Sequence, residues 1–193
     1  MNQLKTATTA PLCNLLLGLL IIVQAPIMFG IVSGPAVIGV MPWVLAAYPA
    51  IIVSVVFMII NGQLLDATVN GLLSIVLMGQ NFVKGIIWLP FTAQGTAPGP
   101  DLLAAMNYID GLGFLLGGVV LLFVGSIHFK ANKIAGASIW CCAAGFICLF
   151  IGFYAGIGLL CLVGGAGMMV LAIFLVYAGI SEVVARVKTA QTA

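Results

Sequence analysis

Charge is what this sequence has least of. Its 193 residues carry six lysines and arginines, four aspartates and glutamates and one histidine, so 5% are charged, where soluble domains run near 25%. Ten formal charges cannot coat a soluble surface. A net charge of +2 makes no nucleic-acid footprint, and the scarcity of titratable groups points away from an enzyme. Cysteine is sparse and odd in number. Cys13, Cys141, Cys142, Cys148 and Cys161 all lie in apolar runs, the usual placing of small buried hydrophobes. With His128 alone and no CxxC pair, there is no metal or cofactor signature.

What the sequence has instead is apolar length. Hydrophobic residues make up 64% of the chain, and at about 20 residues per crossing it holds six membrane helices with short connections. The fold class is therefore all-α: a polytopic membrane protein in one compact bundle, a single transmembrane domain over 1–193. The spans are expected at about 11–32, 36–60, 67–90, 102–127, 134–152 and 158–181. Pro42 and Pro49 interrupt the second and are expected to kink it. Phe91 to Asp101, rich in glycine and proline, is the longest connection. His128 to Lys133 reads as a short basic loop, Gly152 to Gly158 as the turn that divides the last apolar stretch, and the tail after Ile180 as an interfacial anchor. Lys5 before the Leu15–Val23 run, with Val23-Gln24-Ala25 behind it, also has the form of a signal peptide with a small-residue cleavage site; retained, this stretch is the first crossing.

Six crossings put both termini, the second-third loop and the fourth-fifth loop on one side of the membrane. That side holds Lys5, Lys130, Lys133, Arg186 and Lys188. By the positive-inside rule both termini are expected to be cytoplasmic, in a protein integral to the cell (plasma or inner) membrane.

Polar residues inside the spans carry most of the functional information, because lipid offers them no partner. Advancing 100° per residue from Asn70, the positions Ser74, Leu77, Asn81 and Lys84 fall within roughly 40° of it. This stripe reads either as one wall of a water-accessible path or as interhelical hydrogen bonding that holds the bundle together. Lys84 and Asp110 lie at similar depth on adjacent antiparallel helices and are expected to pair. In the sharper reading Lys84 attracts an anion in an outer vestibule whose charge Asp110 tunes. Glu182 and Arg186 are spaced for an i to i+4 pair. The pairs Gly30/Gly34, Gly113/Gly117 and Gly152/Gly156 are GxxxG motifs, and Ala104, Gly111, Gly118 and Gly125 form a second small stripe. Small residues permit close helix approach, and two small faces on the fourth span suggest an oligomer.

The order of features resembles the acetate uptake transporter family, the succinate-acetate permeases, six-helix proteins of about this length. Four pieces carry the resemblance over nearly the whole chain: Ala10, Pro11 and Leu12, within Thr8-Thr9-Ala10-Pro11-Leu12-Cys13-Asn14, before the first helix; Gly71 and Gly79 eight residues apart in the third; Ile151-Gly152 with Ala155-Gly156 at the fifth-sixth turn; and Tyr177 followed by Glu182 in the last helix. The resemblance implies a funnel-shaped protomer in a trimer or hexamer that moves a small monocarboxylate, with or without a proton. Family members narrow the pore with a Phe, a Tyr and a Leu. The corresponding positions here are Leu17, Met78 and Cys142, apolar but without either ring, and Phe153 replaces the usual Asn of the fifth-sixth turn.

Three readings stand at this point. The chain is a channel or transporter for a small organic anion, using Asn70, Ser74, Asn81, Lys84 and Asp110 along its path; or a channel for neutral solutes such as urea, amides or ammonia; or a structural subunit whose polar stripe joins other membrane subunits. No nucleic-acid partner is expected, and the lipid bilayer is a partner in every reading.

Overall fold

The computed structural model describes residues 8–29, 31–32 and 34–192, and these are all-helical with no strand. Six helical spans are long and apolar enough to cross a membrane: Ala10–Met28, Val37–Ile60, Leu64–Ala93, Pro100–Ala131, Lys133–Ala155 and Gly158–Thr189. In a hydrocarbon medium a segment must satisfy its own backbone hydrogen bonds, and a helix does so without neighbours. In chain order the elements are α1 (Ala10–Met28), a 3₁₀ turn (Gly34–Ala36), α2 (Val37–Ile60), α3 (Leu64–Leu73), a π-helical turn (Ser74–Gly79), α4 (Gln80–Ala93), α5 (Pro100–Ala131), α6 (Lys133–Ala155) and α7 (Gly158–Thr192). The third span is thus α3, the π turn and α4 in sequence.

Most boundaries shift by a few residues from the sequence reading, and four of the shifts have a local reason. The first span ends at Met28 and not at 32, because the carbonyl of Pro26 accepts Ile31 N–H at 2.9 Å and Val32 N–H at 3.3 Å and closes the turn. The third span passes through Pro90 to Ala93. There the proline, lacking an N–H, gives up its own bond to the Ile86 carbonyl, while its carbonyl accepts Gln94 N–H at 3.2 Å and closes the last turn. The basic loop expected over 128–133 is helix apart from Asn132. That residue is extended (φ −145°, ψ 109°), and its side-chain oxygen accepts Ile134 N–H at 3.0 Å and Ala135 N–H at 3.2 Å, capping α6. Finally, α7 runs unbroken past Ile180 to Thr192, so the expected tail continues the last span. Gly156, at φ 68°, ends α6 in the left-handed region as glycine can. Lys5 and Gly30 lie outside the described residues.

The spans pack in chain order and close on themselves. α1 meets α2, α2 meets α3 and α4, α3 meets α5, α5 meets α6, α6 meets α7, and α7 returns to α1. In addition α1 touches α3. Phe146, Leu149, Leu171 and Met168 are wholly buried at the centre, held by the van der Waals packing that drives helix association where lipid is as apolar as leucine. α6 and α7 approach backbone to backbone: a Cβ on Gly145 would stand 2.7 Å from the Gly164 carbonyl oxygen and 3.3 Å from the Gly167 Cα. The glycine faces of α5 are filled from within the chain. Gly111, Gly118 and Gly125 face Phe150, Ile147 and Trp140 of α6, Gly113 faces Gln80 of the third span, and Gly117 lies between Phe146 of α6 and Val76 of the third span. The glycine pattern that suggested contacts with a second protomer is therefore accounted for inside one chain, and only Ala104 of that stripe is exposed.

Candidate functional site

The polar residues of the third span do not share one stripe. Asn70 is 2% exposed; its Nδ2 donates to Asn14 Oδ1 of α1 at 3.3 Å and to the Asp66 carbonyl of its own helix at 2.9 Å. Ser74 donates to the Gly71 carbonyl at 2.7 Å. Asn81 Nδ2 donates to Gln24 Oε1 of α1 at 2.9 Å and to the Leu77 carbonyl at 2.6 Å. Lys84 turns elsewhere and forms an ion pair with Asp110 of α5. The π turn lies between these groups. Its i to i+5 bonding makes later residues lag the 100° step on which the stripe was drawn.

The same turn reconciles two spacings. Asn14 and Gln24 are ten residues apart on α1, whereas their partners Asn70 and Asn81 are eleven apart on the parallel third span. A π turn takes up one extra residue, so both amide pairs close. Reading the amides of α1 against those of the third span would have found this register. The side chains of Asn14 and Gln24 were the missed half of the site.

The Lys84–Asp110 pair is buried on the acidic side, with Asp110 5% exposed. The Lys84 ammonium also lies 5.7 Å from the Phe153 ring centroid, within cation–π range. Gln80 Nε2 donates to the Asp110 carbonyl at 3.3 Å. These contacts hold the Lys84 side chain in place.

A vestibule of about 530 Å³ opens at the end of the bundle where α1, α3 and α6 begin and α5 and α7 finish. Its polar wall is Asn14, Gln63, Asp66, Asn70, His128, Asn132 and Glu182. No described lysine or arginine lines it. Glu182 is paired with Arg186 at 2.7 Å, as its i to i+4 spacing predicts. His128 Nε2 stands 3.7 Å from Asp66 Oδ1, beyond direct hydrogen bonding and at a separation that a water spans. Two buried acceptor or donor atoms of this wall, Asn70 Oδ1 and His128 Nε2, have no hydrogen-bond partner. Sequence reasoning passed over His128 because it stands alone in the chain.

Leu17 lies one turn beyond Asn14, Cys142 one turn beyond Ile139 of the vestibule floor, and Met78 two turns beyond Asn70; all three are wholly buried in the core. Met78 also borders a separate apolar groove of about 280 Å³ with Tyr48, Pro49 and Phe82. Of the resemblance residues, Ala10 and Pro11 are buried, Leu12 and Tyr177 face outward, and Glu182 is at the vestibule. Among the described residues no group of three His, Cys, Asp or Glu could hold a metal ion. The chain matches no family model, no curated protein and no solved structure.

Proposed function

We propose that the chain is a membrane channel or transporter for a small solute, with a small monocarboxylate such as acetate as the cargo and the vestibule as its inner mouth. One observation carries this reading: a polar-walled cavity of about 530 Å³ ends on a buried amide, Asn70, from which a second amide pair, Gln24–Asn81, lies farther along the same α1 interface. Dipoles set at intervals along a helix interface are what a polar solute needs when it gives up water. The wholly buried Leu17, Met78 and Cys142 are the constriction in this reading.

The experiment is flux into proteoliposomes. Acetate uptake above that of protein-free vesicles, reduced about ten-fold or more by Asn81→Leu, supports the assignment. Urea uptake in place of acetate favours the neutral-solute channel, and no flux of either solute removes transport.

A second reading has its own observation. Gln24 is 1% exposed and Asn81 bonds it directly, a direct amide–amide link between helices such as a subunit held together by its amides would use. Purification of the native assembly with stoichiometric foreign membrane chains, together with silent flux assays, selects that reading.

A further inference from the structure

The vestibule wall carries one buried acceptor with no partner, Asn70 Oδ1. Asn70 fixes the first half of the argument. Both hydrogens of its amide are committed, one to Asn14 Oδ1 and one to the Asp66 carbonyl. Because a backbone carbonyl only accepts, the amide cannot be flipped without breaking that bond. Its Oδ1 is therefore the atom left over, buried and without a partner. An unsatisfied buried carbonyl oxygen is an acceptor waiting for an N–H or O–H.

The surrounding charge gives the second half. Asp66 and Glu182 are the carboxylates of the wall, and Arg186 on Glu182 is outside the lining. Three helices begin around this end, and helix starts attract anions, but each is answered within the chain. Asp66 occupies the first turn of α3, the Asn132 side chain takes two first-turn amides of α6, and Thr8 Oγ accepts Ala10 N–H at 3.3 Å. A carboxylate solute, which only accepts, would meet Asp66 opposite His128, a Glu182 already paired with Arg186, and the unpartnered acceptor of Asn70.

We propose that the vestibule binds small solutes in their uncharged, hydrogen-donating form: the undissociated carboxylic acid, or the primary amide of the same shape. Its donor goes to Asn70 Oδ1. The inference uses the vestibule of the preceding reading but needs only binding, so it stands or falls separately from flux. A carboxyl group with an ordinary pKa of about 4.3 is protonated in roughly one molecule in 500 at pH 7. Acetate is then a poor ligand at neutral pH and a better one as pH falls, while acetamide is indifferent to pH.

The test uses the full chain in detergent micelles with acetamide and acetate as probes. A ligand of four heavy atoms binds no tighter than tens of micromolar, so probes are used at millimolar concentration at constant ionic strength, with the shift in melting temperature as readout. Acetamide is expected to stabilise equally at pH 7 and pH 5, and acetate at pH 5 far more than at pH 7. Asn70→Leu is expected to weaken both at least ten-fold. Acetate binding at pH 7 as well as acetamide does overturns the proposal, as does the absence of any shift. If Asn70→Leu does not fold, the wild-type comparison of the two probes across pH decides alone. His128 faces Asp66 across the same wall, so the series is repeated in His128→Gln: the pH dependence of acetate binding is expected to persist, and its loss assigns the effect to the imidazole and overturns the proposal. Binding with no acetate flux in vesicles sinks the transport reading and leaves this one intact.

Discussion

At the residue scale, the energetics concentrate in a few polar side chains with nowhere else to go. Lys84 and Asp110 illustrate the asymmetry of buried pairs: making one gains little over an apolar pair, whereas leaving one partner alone costs about 3–5 kcal/mol. Asp110→Asn is expected to lower the unfolding free energy in micelles by that order, and Lys84→Met with Asp110→Leu to recover most of it. If the double variant is no more stable than the single one, the two residues are not coupled as their ion pair implies. The pair was legible from depth alone, because both residues are the same number of turns from one end of antiparallel spans. Asn14 and Gln24 were less legible. An amide in an apolar run reveals that it needs a partner but not which helix supplies it, and the one-residue difference between the two spacings conceals the match.

At the scale of elements, the spans were readable and their ends were not. Apolar length gives the six crossings, but where a helix stops depends on hydrogen bonds between residues a few positions apart. Asn132 is the instructive case: a stretch with two lysines and a histidine reads as a solvated loop, yet one extended residue with a capping side chain is all the break there is. The glycines divide in the same way between those that are structurally required and those that are not. Gly145 sits where α6 and α7 touch backbone to backbone, and Gly145→Leu is expected to abolish the folded species on size-exclusion chromatography. Gly39 in α2 has nothing within 4 Å of a built Cβ. Gly39→Ala should therefore raise stability by about 0.5–1 kcal/mol through helix propensity alone, measured by thermal melting; a loss there contradicts the packing of α2. The π turn was not legible at all, since no residue type marks it, and it is found only from the contacts it reconciles.

For the whole molecule, the closed ring of spans places the start of α1 and Glu182 of α7 at the vestibule, and we propose that this is the cytoplasmic face, as Lys130, Lys133, Arg186 and Lys188 imply by the positive-inside rule. A reporter fused after Ala193 is expected to be shielded from an impermeant reagent in intact cells and one inserted at Thr96 to be exposed; the reverse pattern inverts the topology and makes the vestibule the outer mouth. Overall class followed from composition, because so few charges leave no other medium for the chain. The site did not, because a cavity arises from five helix ends that are far apart in the sequence. The one-residue break at Asn132 also bears on how the protein is made. From Pro100 to Ala155 the ribosome delivers two crossings with no hydrophilic stretch between them long enough to pause outside the translocation channel. α5 and α6 should therefore leave that channel together, as a preassembled hairpin, and lengthening the break with a flexible linker should slow membrane integration even where the finished protein tolerates it.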